Sequence, residues 1–326
     1  MKSDLELIRS LTHGAVRFEE NQGELTFSRF TEEQYRFYEN RSLMRAQSTA
    51  GIILEFETDA ESFRFSGRVE AGSSRSFYWF DIFVNGFLYD HLGSESRGEQ
   101  PEFSYEIQLK SGLKHVKIYF PGLSRVILKE LTFSGAAKVI PVKKMKTIIC
   151  YGDSITQGYD ARYAHIAYPN QLAEILDAEI INKAIGGEIF SPELALYPDS
   201  VQPDLITVAY GTNDWSRSPK DEFHHNVSGF FKNLVRNYPT RPILVILPLW
   251  RLDCETGITA CGSFSEMLDE IRRNCAAFPQ IKLIDGLPLV PHQKDCFSPD
   301  GLHPNDLGFH FLGKNLLRII TDLKIF

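Results

Sequence analysis

The sequence has no apolar run approaching the roughly 20 residues of a membrane-spanning helix, which removes a helical integral-membrane protein from consideration. It has no excess of positive charge either. Lys and Arg number 35 against 42 Asp and Glu, a net charge of −7, whereas a nucleic-acid-binding chain needs a basic face for phosphates. Cysteine is sparse: Cys150, Cys254, Cys261, Cys275 and Cys296 are irregularly spaced and contain no CxxC pair. Neither a disulfide framework nor a thiolate zinc site is expected from them. Cys150, inside an apolar stretch, reads as a small buried hydrophobe. Cys254 and Cys261 flank a loop and would pair only in an oxidising setting. The opening residues (MKSDLELIRSLTHG) carry charges throughout and lack a signal-type apolar core, so the expected location is the cytoplasm. No internal repeat or low-complexity tract is found. What is there is a globular composition, 43% hydrophobic and 24% charged, in 326 residues, enough for two domains.

The pattern of apolar residues changes once along the chain. Up to about residue 140 it alternates with period two, as in Ile52–Thr58 (IILEFET), Phe63–Val69, Phe80–Val84, His115–Phe120 and Val126–Phe133. Short β-branched and aromatic runs between Gly, Ser and Asn clusters predict an antiparallel β-sandwich. Asn85-Gly86 is a two-residue hairpin signal, since both central residues of a type I′ turn need positive φ. Beyond residue 140, apolar strands alternate with helix-length segments. The strands are expected at Thr147–Tyr151, Glu179–Ala184, Leu205–Tyr210, Ile243–Leu247 and Lys282–Asp285. Helical patterns fall near Pro169–Leu176, Glu222–Asn237, Phe264–Ala277 and Leu307–Leu323. This is an α/β pattern with a parallel sheet covered on both faces. The domains expected are therefore 1–140 and 141–326, joined by the basic, proline-containing Lys138–Lys146.

In such a sheet ligands bind outside the carboxyl ends of the strands, and those ends are where the chemistry gathers. The first strand runs into Gly152-Asp153-Ser154, and the second is followed by Asn182 and then Gly186-Gly187. The third runs into Gly211-Thr212-Asn213-Asp214, and Asp300-Gly301-Leu302-His303 lies near the C-terminus. A serine hydroxyl is a weak nucleophile that needs an adjacent base, for which histidine is suited near neutral pH. A carboxylate beside that histidine fixes its tautomer, and Asp300 lies one turn before His303. The oxyanion of a tetrahedral intermediate needs fixed donors; the N–H groups of Ser154 and Gly187 and the Asn213 amide would supply three.

These four blocks, GDS at 152–154, Gly187 five residues after Asn182, GTND at 211–214 and DxxH at 300–303, resemble those of the SGNH (GDSL) hydrolases over most of residues 145–310. The resemblance implies a flavodoxin-like three-layer α/β/α fold and ester hydrolysis or acyl transfer through a serine acyl-enzyme. It makes Ser154 the nucleophile, His303 the base, Asp300 its orienter, and Gly187 and Asn213 oxyanion donors. No metal or organic cofactor is implied. The sandwich in front resembles the jelly-roll domain of two-domain members, among them carbohydrate esterases and some acyltransferases.

Each block also has a plain reading. GDS alone is an ordinary turn, GTND alone a turn or helix cap, and DGLHP alone a loop with a solvated histidine. Their joint order favours chemistry. Asp153 is expected to accept a local backbone N–H and Asp214 to be a structural hydrogen-bonder or cap. Adjacent His224 and His225 point to different helix faces, which argues against a metal pair. Trp250 and Arg251 follow the fourth strand and so reach the same rim, where Trp250 walls a pocket or covers the core. Arg251, and Tyr159 near the serine, are substrate contacts or simply solvated side chains. The aromatic run Phe77–Phe80 is too dense for every ring to face one core, so part of it is expected to pack between the domains, with sugar binding as the alternative. The expected enzyme is a serine esterase acting on a short acyl ester of a carbohydrate or similar polyol, with an acyltransferase as alternative and a catalytically silent carbohydrate-binding protein as the different class. Its partner is a small-molecule or oligosaccharide ester, not nucleic acid or membrane.

Overall fold

The computed structural model describes residues 5–98 and 102–325. The alternating half folds into two antiparallel sheets. One orders Thr12–His13, Ile53–Thr58, Lys114–Tyr119, Tyr78–Val84 and Phe87–Ser94, with Val139–Pro141 on its flank; the other orders Arg17–Asn21, Glu24–Ser28, Ser124–Phe133, Ser62–Ala71 and Glu102–Gln108. Period-two patterning puts one face of each sheet inward, and Leu25, Phe56, Phe65, Phe80, Ile118 and Val126 form the shared core. Asn85 and Gly86 make the expected hairpin with φ of 53° and 80°. Gln22-Gly23 makes another, φ 52° and 79°. Its first strand, Arg17–Asn21, carries too little apolar residue to be read from pattern alone.

The second half is a five-stranded, all-parallel sheet in the order Ala178–Asn182, Lys146–Gly152, Leu205–Ala209, Ile243–Ile246, Ile281–Ile284. In sequence terms this is 2-1-3-4-5, the flavodoxin-like order. Lys220–Asn237 and Phe264–Cys275 pack on one face through Phe223, Phe230, Met267 and Ile271. Tyr168–Leu176 and Asp306–Leu323 pack on the other through Leu172, Leu312 and Leu316. The strand order reverses beside Lys146–Gly152, so a crevice opens at that strand's carboxyl end. Among the described residues no helix is long and apolar enough to cross a membrane.

The two halves are sewn together at several places, among them the junction and residues 28–50. Val139–Pro141 pairs with Ile53–Thr58 and Lys144 bridges Glu55 (3.0 Å) and Asp177 (2.7 Å), so the basic junction is zipped onto both halves instead of hanging between them. The larger seam is residues 28–50, which leave the sandwich and return to it. There Phe30, Tyr38 and Ala46 enter the core of the α/β half. Arg29 is fully buried, and all five of its N–H donors are used. Nε donates to the Ser48 carbonyl (2.8 Å), and Nη2 to the Arg45 carbonyl (3.0 Å) and Ser48 Oγ (2.9 Å). Nη1 donates to the carbonyls of Asn182 and Ala184. Burial lowers its pKa to about 9. Removing a buried charged donor strands its acceptors. Arg29→Met is therefore expected to lower the free energy of urea unfolding by about 3–5 kcal/mol; a loss under about 1 kcal/mol would show that the seam does not depend on it.

Candidate active site

The first parallel strand stops at Gly152 and a four-residue helix, Ser154–Gln157, begins at once. Asp153 caps that helix, its carboxylate accepting the Ile155 N–H at 3.0 Å. Glycine is required at 152 because the chain doubles back on itself: a Cβ there would lie 2.1 Å from Thr156 Oγ1 and 3.1 Å from the Ala209 carbonyl. The turn leaves Ser154 only 6% exposed, with Oγ 2.7 Å from His303 Nε2. His303 Nδ1 is 2.6 Å from Asp300 Oδ2, while Asp300 Oδ1 accepts the N–H groups of Leu302 (2.9 Å) and His303 (3.0 Å). Burial raises the Asp300 pKa, but these bonds outweigh it and hold it below the ordinary carboxylate range. An ionised Asp300 keeps the proton on Nδ1 and leaves Nε2 free to accept from Ser154.

Beside the serine lies the loop after the second parallel strand. Gly186 lies beside Ser154, and its N–H donates to Gln157 Oε1 at 2.7 Å. Gly187 follows with φ +82°, a conformation that favours glycine. Two guanidinium groups hold the loop's carbonyls: Arg45 binds that of Gly186, and Arg217 Nη1 that of Gly187 at 2.8 Å. Asn213 is oriented by donating one amide N–H to the Glu188 carbonyl at 3.0 Å.

Residues 150–310 match the family model described as GDSL-like Lipase/Acylhydrolase. The chain carries a GDSL-like lipase/acylhydrolase domain. A domain of that description supports a serine ester hydrolase. No curated protein matches the sequence. Solved structures share the whole two-part fold. The salicylyl-acyltransferase SsfX3 of a tetracycline biosynthetic pathway is 20% identical with a TM-score of 0.84, over 96% of this chain and 94% of that one. A GDSL-like lipase from Bacteroides ovatus is 19% identical with a TM-score of 0.77, over 96% and 95%. A family two carbohydrate esterase from Clostridium thermocellum, solved with cellohexaose, is 16% identical with a TM-score of 0.66, over 93% and 100%.

Around the four blocks of the GDSL-like domain the remaining expected residues divide. Tyr159 lies against His303, ring centroids 4.9 Å apart. Trp250 stacks on His292 (5.1 Å, 16° between planes) and, with Leu252, Lys294, Phe297 and Gly301, walls a cavity of about 350 Å³ beside the Asp300–His303 loop. Arg251 turns elsewhere: it pairs with Asp253 (2.6 Å) and donates to the Thr212 carbonyl (3.2 Å) and Ser216 Oγ (3.0 Å), buttressing the helix that carries Asn213. Cys254 and Cys261 are free thiols. His224 bonds Glu270 (2.5 Å). Trp79, from the dense aromatic run, meets Tyr163 of the GDSL-like domain at 6.1 Å, while Phe80 lies in the sandwich core. Sequence reading missed Gln157, Arg45, Arg217, Asp160 and Arg75. Arg45 and Arg75 come from far along the chain, and no local pattern marks them.

Asp214, the last residue of the third block, is buried beneath the loop and its Oδ1 accepts the Phe190 N–H at 3.1 Å. Burial pushes its pKa up to about 8, and that of Asp153 up to about 6. A carboxyl whose pKa is raised on folding binds its proton more tightly in the folded state. The stability that proton contributes is complete below the unfolded value and is lost as pH rises through the folded one. Urea midpoints are accordingly expected to fall between pH 5 and pH 8, and Asp214→Asn, which keeps the Phe190 acceptor but cannot ionise, to flatten most of that slope. An unchanged slope in the variant would mean Asp214 is ionised in the folded protein.

Proposed function

We propose that Ser154 attacks an ester carbonyl while His303 Nε2 takes its proton and Asp300 balances the imidazolium. The observation that carries this is the continuous line of contacts, Ser154 Oγ to Nε2 at 2.7 Å and Nδ1 to Asp300 at 2.6 Å. The oxyanion is held by the Ser154 and Gly187 N–H groups and by the second amide N–H of Asn213. His303 then protonates the leaving alcohol, giving an acyl-enzyme and free alcohol. In the second half it takes a proton from water, and hydroxyl addition followed by loss of Ser154 releases the acid.

The substrate we propose is a short acyl ester of a carbohydrate or similar polyol. A sandwich domain joined to the catalytic one, the cellohexaose bound by the carbohydrate esterase of similar fold and the Trp250-walled cavity support it. Transfer of the acyl group to an acceptor alcohol is the second reading, favoured by the salicylyl-acyltransferase likeness over nearly the full chain. A cytoplasmic site of action belongs to the same reading; all five cysteines are free thiols and four are buried.

Ser154→Ala is expected to reduce p-nitrophenyl acetate turnover by at least about 10³-fold with an unchanged urea midpoint; turnover near wild type would remove the mechanism. Product analysis on acetylated oligosaccharides with added acceptor alcohol separates the readings. Free acetate as the main product supports the esterase, and acyl transfer that outpaces hydrolysis at low acceptor concentration supports the transferase.

A further inference from the structure

The loop between the sandwich strands Ser62–Ala71 and Tyr78–Val84 reaches the reacting residues. Ser74 Oγ contacts the Tyr159 hydroxyl. The guanidinium of Arg75 lies over the Tyr159 ring, 4.5 Å from its centroid, and that ring lies against His303. Arg75 also grips Asp160 with two bonds, Nε to Oδ1 at 2.7 Å and Nη2 to Oδ2 at 3.1 Å. Asp160, Asp300 and His303 each present a polar atom within 4.8 Å of the others. Two carboxylates beside one imidazole are thus answered by a cation from the other half of the chain. The loop is itself braced, since Ser73 Oγ accepts the Arg75 N–H (3.0 Å) and Arg97 donates to the Arg75 carbonyl (3.0 Å).

We infer that Arg75 is a positioning residue for the reaction, which the sandwich supplies to fix the His303 ring through Tyr159 and to cancel the charge of Asp160 beside it. The inference rests on the Ser154–His303 reading given above. The charged and titratable groups around His303 are Asp300 on its own loop, Asp153, Tyr159 and Asp160 from the segment after the first parallel strand, and Arg75. Asp160 alone would add a second negative charge next to the ring and favour the imidazolium, which cannot act as base. With Arg75 bound, that charge is screened at contact distance. Arg75 also keeps Tyr159 packed on one face of the imidazole, restricting the ring's rotation out of line with Ser154.

The test is the pH dependence of kcat/KM for p-nitrophenyl acetate, whose acid limb reports protonation of the base in the free enzyme. Arg75→Gln leaves Asp160 uncompensated, so the limb moves to higher pH by on the order of one unit, with kcat lowered about tenfold. Asp160→Asn leaves Arg75 uncompensated, and the limb moves to lower pH. The double variant Arg75→Gln/Asp160→Asn returns the limb to its wild-type position, and Arg75→Lys keeps it there while recovering part of kcat. A packing role alone lowers activity without moving the limb. Limbs unmoved in both single variants overturn the inference. If Arg75→Gln fails to fold, Asp160→Asn and Arg75→Lys decide the matter on the same axis. Ser154→Ala, assayed alongside, keeps the two claims apart: an active Ser154→Ala removes the underlying mechanism, whereas an inactive one with unmoved Arg75 and Asp160 limbs removes only this inference.

Discussion

One buried guanidinium sets the frame for the rest. Arg29 buries a charge completely and satisfies it with carbonyl oxygens and one hydroxyl. Two of those carbonyls, Asn182 and Ala184, flank the start of the loop that carries Gly187. From them the restraint passes outward. Asn182 Nδ2 holds the Thr156 carbonyl of the serine helix (2.9 Å), and Gln157 ties Ser48 to the Gly186 N–H. Arg45, whose own carbonyl accepts from Arg29, donates to the Gly186 carbonyl. A sub-ångström error in an oxyanion loop costs rate steeply, so donors on short, cross-braced segments are a physical requirement of acyl transfer chemistry. The seam from the sandwich supplies that bracing to the proposed site.

The site itself divides work by burial. Asp300 sits at the rim, bonded by two backbone N–H groups and the imidazole, and stays ionised. Asp153 and Asp214 lie beneath, where desolvation raises both. Three aspartates in three signature blocks thus do three jobs: one orients the His303 imidazole, one caps the serine helix and one anchors the Phe190 N–H. Identity of residue type does not assign the role; solvent access and hydrogen-bond count do.

How much of this was readable from the chain follows from the range of the forces involved. The parallel sheet was legible because its strands are short apolar runs and four of the five are followed by a helix-period segment, with three of the four blocks directly after strands where topology gathers them. The Asn85-Gly86 turn was legible because its conformation excludes most other residues. Arg17–Asn21 was not, being half-exposed and polar, and neither were the short helices Glu32–Tyr38 and Leu43–Ala46, whose partners lie more than a hundred residues away. Arg251 had the right address, after the fourth strand, yet Asp253 and Thr212 claim its donors. Arg75 had no address at all, because its meaning depends on how the two halves meet.

The most direct measurement is the mass of the protein quenched with acid during turnover of a slow acyl ester, followed by peptide mapping. The account predicts one acyl group per chain, located on the peptide containing Ser154 and absent when His303 is replaced by alanine. An adduct on another residue, or rapid turnover with hydrolysis of the ester and no covalent intermediate under any quench, would contradict it.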